Sequence, residues 1–215
     1  MKILLTGATG YIGKRILPVL VSKGYDVVCC VRDKSRFNPP KSLKEKISVI
    51  EIDLLKTSSL SKIPKDIDVA YYLVHSMSTA DNYKLLEQES AINFRDRLSS
   101  IDVKQVIYLS GIVNESNLSV HLSSRKTVER ELEKGNYNLT CLRAGIIVGS
   151  GSASFEIMRD LVEKLPVMIT PKWLLTKCSP IGVSDVQNFL TKCILNKETF
   201  NKNFDIGCDD VLSYR

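Results

Sequence analysis

The chain opens with Met1-Lys-Ile-Leu-Leu-Thr-Gly7-Ala-Thr-Gly10-Tyr-Ile-Gly13, an apolar run followed by three glycines at intervals of three residues. Gly7 permits a sharp turn after a strand, Gly10 lets backbone N–H groups approach a pyrophosphate, and Gly13 lets the following helix pack closely. The unpaired N–H groups and the positive end of that helix attract phosphate groups. The pattern therefore predicts a strand–turn–helix unit that binds a dinucleotide. The predicted contact residues are Thr6, Gly7, Thr9, Gly10, Tyr11, Ile12 and Gly13.

Short apolar runs alternate with longer helical segments along the rest of the chain. Runs such as Val69–Val74 are apolar almost throughout, which is typical of parallel strands buried on both faces. Repeated β-α-β units predict an α/β fold of the Rossmann type, with a doubly wound parallel sheet. The predicted strands are Lys2–Thr6, Asp26–Arg32, Ile47–Asp53, Asp68–Val74, Lys104–Ser110, Leu139–Ala144 and Asn203–Gly207. The predicted helical segments are Tyr11–Lys23, residues 80–100, His121–Lys134, a segment around Phe155 and a last helix after Ser184.

The region from about residue 145 to residue 200 is less regular and contains several prolines. We interpret it as a small C-terminal substrate lobe on the carboxyl edge of the sheet, with ordinary connecting loops as the alternative. The last helix begins with Ser184-x-x-Gln187, a pattern typical of a capping box. Its apolar residues predict that Val186, Phe189, Leu190 and Cys193 are buried. Residues 1–215 are expected to form a single dinucleotide-binding domain, and the abrupt end is compatible with a fragment of a longer protein.

The composition excludes several classes of protein. Hydrophobic residues make up 44% of the 215 residues and charged residues 25%, which excludes a disordered chain. No apolar run approaches the roughly 18 residues that a membrane span needs. The net charge of +6 is compatible with an anionic ligand, but the basic residues are scattered, so we do not expect nucleic-acid binding.

The cysteines predict the compartment rather than a site. The six of them form no C-x-x-C pair and no spacing of a zinc site, so no metal is expected. Free and mostly buried thiols are typical of a reducing compartment. The sequence therefore predicts a cytoplasmic protein.

The end of the second predicted strand indicates which dinucleotide is bound. An acidic residue there would bond the ribose hydroxyls of NAD, whereas a basic one would pair with the 2′-phosphate of NADP. Arg32 occupies the tip and Arg36 follows closely, so NADP is favoured, although Asp33 could turn inward and prefer NAD. After the third strand, Asp53 and Leu54 could edge the adenine, and a turn cap is an equal alternative for Asp53.

Several motifs resemble one known family. Beside the glycine pattern they are Val31-Arg32, Asp53-Leu54, Tyr108-Leu109-Ser110-Gly111 and Leu142-Arg143-x-x-x-Ile147-x-Gly149-Ser-Gly-Ser152. Together they resemble the atypical and extended short-chain dehydrogenase/reductases, in particular the NmrA-like and nucleoside-diphosphate-sugar-epimerase-like NAD(P)-binding proteins. The resemblance covers essentially the whole chain, and the glycine motif is its most specific part.

The resemblance implies NAD(P) across the carboxyl edge of the sheet and a serine after strand five, which Ser110 matches. Active members also carry a Tyr-x-x-x-Lys pair, which is absent here. His121 stands where the tyrosine would be and Arg125 where the lysine would be. His121 and Arg125 are four residues apart and share one helix face with Val128, so both are expected to turn inward.

Two functions follow from these residues. In the first, the protein is an NADP-dependent oxidoreductase or epimerase-like enzyme acting on a small-molecule substrate. His121 then exchanges the proton, Ser110 orients a carbonyl oxygen and Arg125 holds the cofactor, although Arg125 would depress the pKa of His121. In the second, the protein binds NADP(H) without turnover, as a redox sensor or regulatory module, and His121 is an ordinary interior histidine. His75, after the fourth strand, is expected either to contact the nicotinamide ribose or to bond a loop.

Overall fold

A computed structural model describes residues 1–75, 82–112, 120–164 and 177–213, without the side chains of residues 120–122 and 154. The strands are β1 Lys2–Leu5, β2 Asp26–Val31, β3 Ile47–Glu51, β4 Val69–Tyr72, β5 Gln105–Gly111, β6 Asn138–Ala144, β7 Ile147–Val148, β8 Lys177–Cys178, β9 Ile181–Gly182, β10 Lys202–Ile206 and β11 Leu212–Ser213. The α-helices are α1 Tyr11–Ser22, α2 Lys41–Lys44, α3 Thr57–Leu60, α4 Tyr83–Ser99, α5 Val120–Leu132, α6 Ala153–Lys164 and α7 Val183–Lys192. In the described part of the chain, 3₁₀ turns span Lys34–Arg36 and Lys197–Thr199.

Seven strands form one parallel sheet in the order β10-β6-β5-β4-β1-β2-β3. These are the seven strands predicted from the sequence, and the Rossmann-type α/β fold is confirmed. The strand order reverses between β1 and β4, because β2 and β3 extend to one side of β1 and β4 and β5 to the other. The carboxyl ends of β1 and β4 therefore border the crevice in which open α/β sheets bind ligands.

Successive residues of each strand enter two separate cores. Ile3 and Leu5 pack with apolar residues of α1 and α7 on one face of the sheet. Leu4 packs with residues of α4 and α5 on the other face. Cys29 and Cys30 likewise enter opposite cores, as their adjacency in a strand predicts. Because both faces are covered, polar groups at the site can come only from the strand ends and the helices above them.

The last helix differs from its prediction in two ways. It begins at Val183 after Gly182, so Ser184 lies inside the first turn and the predicted capping box is wrong. Gln187 instead donates its side-chain amide to the carbonyl of Arg15 at 2.7 Å, which ties α7 to α1. Phe189 is 43% exposed rather than buried. The predicted burial of Val186, Leu190 and Cys193 is confirmed.

Beyond β6, β10 joins the main sheet, and the other described strands form two-stranded sheets. β7 pairs with β9 in parallel, and β8 pairs with β11 in antiparallel orientation. α7, in the same region of the sequence, packs in the main core next to α1. The substrate lobe predicted for residues 145–200 stays a prediction for the segments outside α7.

Candidate functional site

A cavity of about 560 Å³ lies at the carboxyl edge of the sheet. It is bordered by the glycine loop, by residues at or just beyond the ends of β2, β3 and β4, and by α4 and α5. It therefore occupies the crevice at which the strand order reverses. The predicted site residues that line it are Thr6, Gly7, Thr9, Gly10, Arg32, Asp53, Leu54 and His75.

The glycine loop is shaped by two close backbone approaches. Gly7 has a φ of 68°, and a β-carbon there would run into the carbonyl of Leu73 at the end of β4. A β-carbon on Gly13 would run into the carbonyl of Gly7. The loop closes on itself through a hydrogen bond of 2.8 Å from the Gly10 N–H to the Gly7 carbonyl. Only glycine fits at these two positions without moving the backbone, which explains the spacing seen in the sequence.

The N-terminus of α1 is suited to an anion. Gly10 is the residue before the helix and has no side chain that could cap it, and the first turn holds no acidic residue. The first N–H groups of a helix have no partner within it, and the helix dipole makes this end positive. Gly10 and Thr9 both line the cavity. A phosphate group in the cavity would therefore find backbone donors and a favourable field.

Tyr11 and Ile12 are absent from the described lining of the cavity, and their side chains pack elsewhere. The Arg15 guanidinium lies 3.9 Å over the centre of the Tyr11 ring and donates to the carbonyl of Ser150. A β-carbon on Gly149 would lie 2.7 Å from the Tyr11 hydroxyl, so this ring is packed against the loop after β7. Ile12 packs against the core. The prediction of Tyr11 and Ile12 as contact residues therefore rests on their N–H groups.

The acidic residue and the two basic residues after β2 have different positions and partners. Arg32 is exposed and lines the cavity. Asp33 accepts hydrogen bonds from the backbone N–H of Ser35 at 2.9 Å and from its hydroxyl at 2.6 Å, and these bonds lower the pKa of Asp33. Arg36 pairs with Asp33 at 3.4 Å and is absent from the described cavity lining. The carboxylate that could have favoured NAD is thus engaged in its own turn.

Asp53 combines the two roles considered for it. It lines the cavity together with Leu54. Its Oδ1 also accepts a hydrogen bond of 3.1 Å from the N–H of Leu55, which caps the turn after β3. The Leu54 carbonyl is held by the side-chain amide of Asn93 at 2.8 Å. The turn is thereby fixed in place at the edge of the cavity.

His75 lies at the opposite side of the cavity from Arg32 and is partly buried. Its ring centre is 6.3 Å from that of Tyr108. Burial and the positive charge of Arg125 lower the pKa of His75 to about 3, against an opposing effect of the Leu109 backbone. The imidazole is therefore neutral at pH 7.

Ser110 and Arg125 come close to this end of the cavity without lining it. Ser110 is 2% exposed, and its Oγ has no hydrogen-bond partner among the described residues. The nearby Tyr108 hydroxyl donates to the backbone carbonyl of Arg125 at 3.4 Å instead. Burial raises the pKa of Tyr108, and the nearness of Ser110 and Arg125 offsets only part of that rise. His121 lies in the first turn of α5, and its side chain is outside the described residues.

Glu87, which the sequence patterns did not single out, lines the cavity from α4. Its carboxylate accepts a hydrogen bond from the hydroxyl of Ser124 on α5. A signal for it was available, because Glu87 precedes the buried residues Ala91, Phe94 and Leu98 at intervals that keep one helix face. Glu87 lies on the helix face that packs on the sheet, one turn nearer the carboxyl edge than Ala91. An acidic residue in such a position is a candidate for the site.

No described helix is long and apolar enough to cross a membrane. The described histidines, cysteines and acidic residues include no group of three that could hold a metal ion.

The family comparison locates the match in the half of the chain that builds the cavity. The sequence pattern described as "NAD dependent epimerase/dehydratase family" matches residues 3–111. A curated relative, the chloroplastic divinyl chlorophyllide a 8-vinyl-reductase of Cucumis sativus, is 25% identical over 226 aligned residues, which cover 95% of this chain and 52% of the relative. The chain thus spans about half the length of such relatives.

Solved structures share the fold at low sequence identity. A UDP-glucose 4-epimerase of Thermotoga maritima superposes with a TM-score of 0.78 at 16% identity, covering 100% of this chain and 79% of that one. The Bordetella bronchiseptica enzyme WbmG, solved in complex with NAD, gives a TM-score of 0.81 at 14% identity, covering 100% of this chain and 74% of that one. The family match confirms the resemblance to epimerase-like NAD(P)-binding proteins, and the solved structures confirm the fold. The chain belongs to the NAD dependent epimerase/dehydratase family.

Proposed function

We propose that the protein binds NADP(H) in the 560 Å³ cavity and acts as an oxidoreductase or epimerase-like enzyme on a small-molecule substrate. The observation that carries the proposal is the uncapped N-terminus of α1 behind a loop that admits only glycine at Gly7. The volume is within the range of about 300–1,000 Å³ that is usual for cofactor sites. The reductase and epimerase relatives support the same reaction classes.

The residues present fit a dinucleotide bound in one orientation. The first N–H groups of α1 would hold the pyrophosphate, and Asp53 with Leu54 would edge the adenine. His75 would then lie at the nicotinamide half, next to the ends of β4 and β5. When bound, the nicotinamide supplies the ability to donate or accept a hydride.

The choice of NADP over NAD rests on Arg32 and Asp33. Arg32 is exposed at the cavity, where a guanidinium can bind a phosphate through two hydrogen bonds. Asp33, the residue that would repel that phosphate and bond ribose hydroxyls, is engaged with Ser35 and Arg36. We therefore propose NADP as the preferred cofactor, with NAD as the weaker ligand.

Changing Arg32→Glu is expected to weaken NADPH binding by about 10- to 100-fold, because a charge-assisted phosphate contact is replaced by repulsion. NADH affinity should change by much less, since NADH has no 2′-phosphate. Isothermal titration calorimetry of both ligands measures the change. Arg36→Glu is the matched control, and it should have a small effect because Arg36 pairs with Asp33 outside the described lining. Equal affinities of the wild type for NADPH and NADH would contradict the NADP assignment.

Catalysis would depend on Ser110, His121 and Arg125. Ser110 has a buried hydroxyl whose hydrogen-bonding capacity is unused among the described residues, so it could orient a carbonyl oxygen. Arg125 supplies positive charge at this end of the cavity, as its effect on His75 indicates. His121, in the first turn of α5, would exchange the proton.

A second function, binding of NADP(H) without turnover, is favoured by one observation. His75 and Tyr108, two titratable groups at the nicotinamide half, both stay neutral at pH 7, since the pKa of His75 is lowered and that of Tyr108 is raised. Neither can exchange a proton readily near neutral pH. Proton transfer would then depend on His121, which replaces the usual tyrosine.

NADPH oxidation against a panel of carbonyl substrates distinguishes the two functions. For an enzyme, we expect turnover in the wild type that falls by about 100-fold or more in His121→Ala, in line with the usual contribution of a general acid. Ser110→Ala should lower kcat while leaving the Kd for NADPH within about 2-fold, because one neutral hydrogen bond is lost in the reacting complex. Tight NADPH binding without turnover on any substrate would support the sensor instead.

A reducing compartment such as the cytoplasm is part of the proposal. All six cysteines are free thiols, and Cys29, Cys30, Cys141 and Cys193 are buried. Burial raises the pKa of Cys29 to about 12, which keeps its thiol protonated and unreactive.

A further inference from the structure

Most of the net charge of the chain lies in the two segments that flank the strand β3. Residues 32–65 contain nine of the 30 basic residues but only four of the 24 acidic ones. This stretch therefore carries +5 of the net charge of +6, and the rest of the chain is close to neutral. The basic residues are spread along the sequence, but the fold brings this excess to one end of the sheet.

β3 is the edge strand at that end, and the two segments cover it from opposite faces. Leu43 of α2, before β3, packs in the core on the α1 side, and Leu60 of α3, after β3, packs in the core on the α4 side. The segment before β3 carries Arg32, Lys34, Arg36, Lys41, Lys44 and Lys46. The segment after β3 carries Lys56, Lys62 and Lys65. These nine residues are called the basic end.

The charges of the basic end are exposed and mostly uncompensated. All nine residues are exposed. Within the described part of the chain, Arg36 is the one member that pairs with a carboxylate, that of Asp33. Basic residues elsewhere, such as Arg95, Lys104 and Arg143, do pair with carboxylates. The basic end can therefore attract an anionic partner.

Protection of the edge strand does not account for these charges. Lysines on an edge strand prevent it from pairing with a strand of another molecule. β3 itself, Ile47–Glu51, holds no lysine or arginine. The basic residues lie on the segments to either side of the strand, which is the arrangement expected of a broad docking surface.

We propose that the basic end docks on an anionic lipid bilayer. Seven of its nine residues are lysines, and residues 32–65 include no tryptophan or tyrosine. A layer of lipid headgroups carries diffuse negative charge, and a cluster of flexible, strongly hydrated ammonium groups is sufficient to bind it. The chemistry of the surface therefore matches a bilayer that contains anionic lipids.

Other anionic partners fit the basic end less well. Specific protein interfaces are enriched in aromatic residues and arginine and depleted in lysine. Single-stranded nucleic acids are bound largely by stacking on aromatic side chains. Duplex DNA is read by a helix or a β-ribbon in a groove, whereas α2 and α3 span four residues each. A lipid surface makes none of these demands.

The expected binding is reversible and depends on salt. Each basic residue near an anionic bilayer raises the affinity about 5-fold, and the attraction falls off within a Debye length of about 8 Å at physiological salt. Arg32 belongs to the basic end and also lines the cavity, so a bilayer docked on this end lies beside the cavity.

Co-sedimentation of the whole chain with vesicles tests the proposal. The wild type should bind vesicles of phosphatidylcholine with about 30% phosphatidylserine and should not bind phosphatidylcholine alone. Raising the salt concentration from about 0.1 M to about 0.5 M should lower the affinity at least 10-fold, because the Debye length falls. These measurements on the wild type do not depend on the folding of any variant.

A triple charge reversal identifies the surface that docks. Lys41→Glu combined with Lys44→Glu and Lys46→Glu should lower the affinity for the anionic vesicles at least about 10-fold. The Kd for NADPH should stay within about 2-fold of the wild type, because the three residues are absent from the described lining of the cavity. Arg32 is left unchanged because it lines the cavity.

The matched control changes the net charge by the same amount elsewhere. Lys23→Glu combined with Lys126→Glu and Lys202→Glu alters three exposed lysines outside the basic end. This variant should bind the anionic vesicles within about 3-fold of the wild type, because its substitutions lie away from the docked surface. Equal losses in the two triple variants would show that net charge alone attracts the vesicles, and would overturn the proposal.

The remaining outcomes decide between partners. If the wild type does not bind the anionic vesicles at about 0.1 M salt, the proposal is wrong. If duplex DNA or polyglutamate binds more tightly than the vesicles at the same salt, the partner is a nucleic acid or an acidic protein, and the proposal is also overturned. None of these results depends on NADP(H), so the docking surface and the proposed function stand or fall separately.

Discussion

Replacing Gly7 by alanine is expected to lower the free energy of unfolding by about 3 kcal/mol and to weaken NADPH binding by at least 10-fold. Two effects add up at this position. The backbone has a φ of 68°, which costs a residue with a β-carbon about 1–2 kcal/mol. The new β-carbon also runs into the Leu73 carbonyl, and overpacking of this kind costs about 1–3 kcal/mol. Relief of the clash would move the loop away from the position in which it can hold a pyrophosphate.

Gly24→Ala is the matched control for this variant. Gly24 follows α1 with a φ of 78°, but a β-carbon there would meet no atom within 4 Å. It should therefore show the conformational cost alone, about 1–2 kcal/mol, with NADPH affinity unchanged. Urea unfolding and calorimetry of both variants measure the difference. If both variants lose the same stability, or if Gly7→Ala binds NADPH like the wild type, the close approach to Leu73 does not shape the loop.

The sheet could be predicted from the sequence because its determinants are local. Each strand is a continuous apolar run, and the glycine pattern specifies the turn between β1 and α1. The same local signals placed Arg32, Asp53 and His75 at strand ends, and the structure brings all three to one cavity. Parallel strands meet at a common carboxyl edge, so a correct strand assignment is enough to bring these residues together.

The predictions from sequence failed where long-range contacts override a local pattern. Ser184 and Gln187 have the spacing of a capping box, but Gly182, the last residue of β9, pairs with Val148 of β7, and the helix begins immediately after it. The sequence gives no indication of that pairing. The Gln187 side chain is used instead to hold Arg15, 172 residues away.

The placement of side chains at the site also depends on contacts that a local sequence pattern does not specify. Tyr11 belongs to the glycine motif, yet its ring packs under Arg15 and against the loop near Gly149. Arg36 is close to Arg32 in sequence, but its pairing with Asp33 keeps it in the turn after β2. Both placements depend on partners that a local pattern does not specify. The motif therefore predicts which segment builds the site, whereas long-range contacts determine which of its side chains line the cavity.

Glu129→Gln is expected to lower the free energy of unfolding by about 3 kcal/mol, near the lower end of the range for breaking a buried ion pair. The Glu129 side chain is 5% exposed and lies on α5, and it accepts hydrogen bonds from the guanidinium of Arg143 on β6. Cys141 also donates to it at 3.2 Å. The effect falls at the lower end because Asp205, 3.9 Å from Arg143, still faces the guanidinium after the change.

Two further variants identify the cause of that loss. Asp160→Asn removes one partner of an exposed pair with Lys164 on α6, and such pairs contribute less than about 1 kcal/mol. The double variant Glu129→Leu with Arg143→Met replaces both charges by apolar groups of similar size, which is often neutral in buried positions. It should therefore recover most of the stability lost in Glu129→Gln. If the double variant is the less stable of the two, the pair itself stabilises the packing of α5 on β6. If it recovers, the loss comes from the uncompensated charge of Arg143.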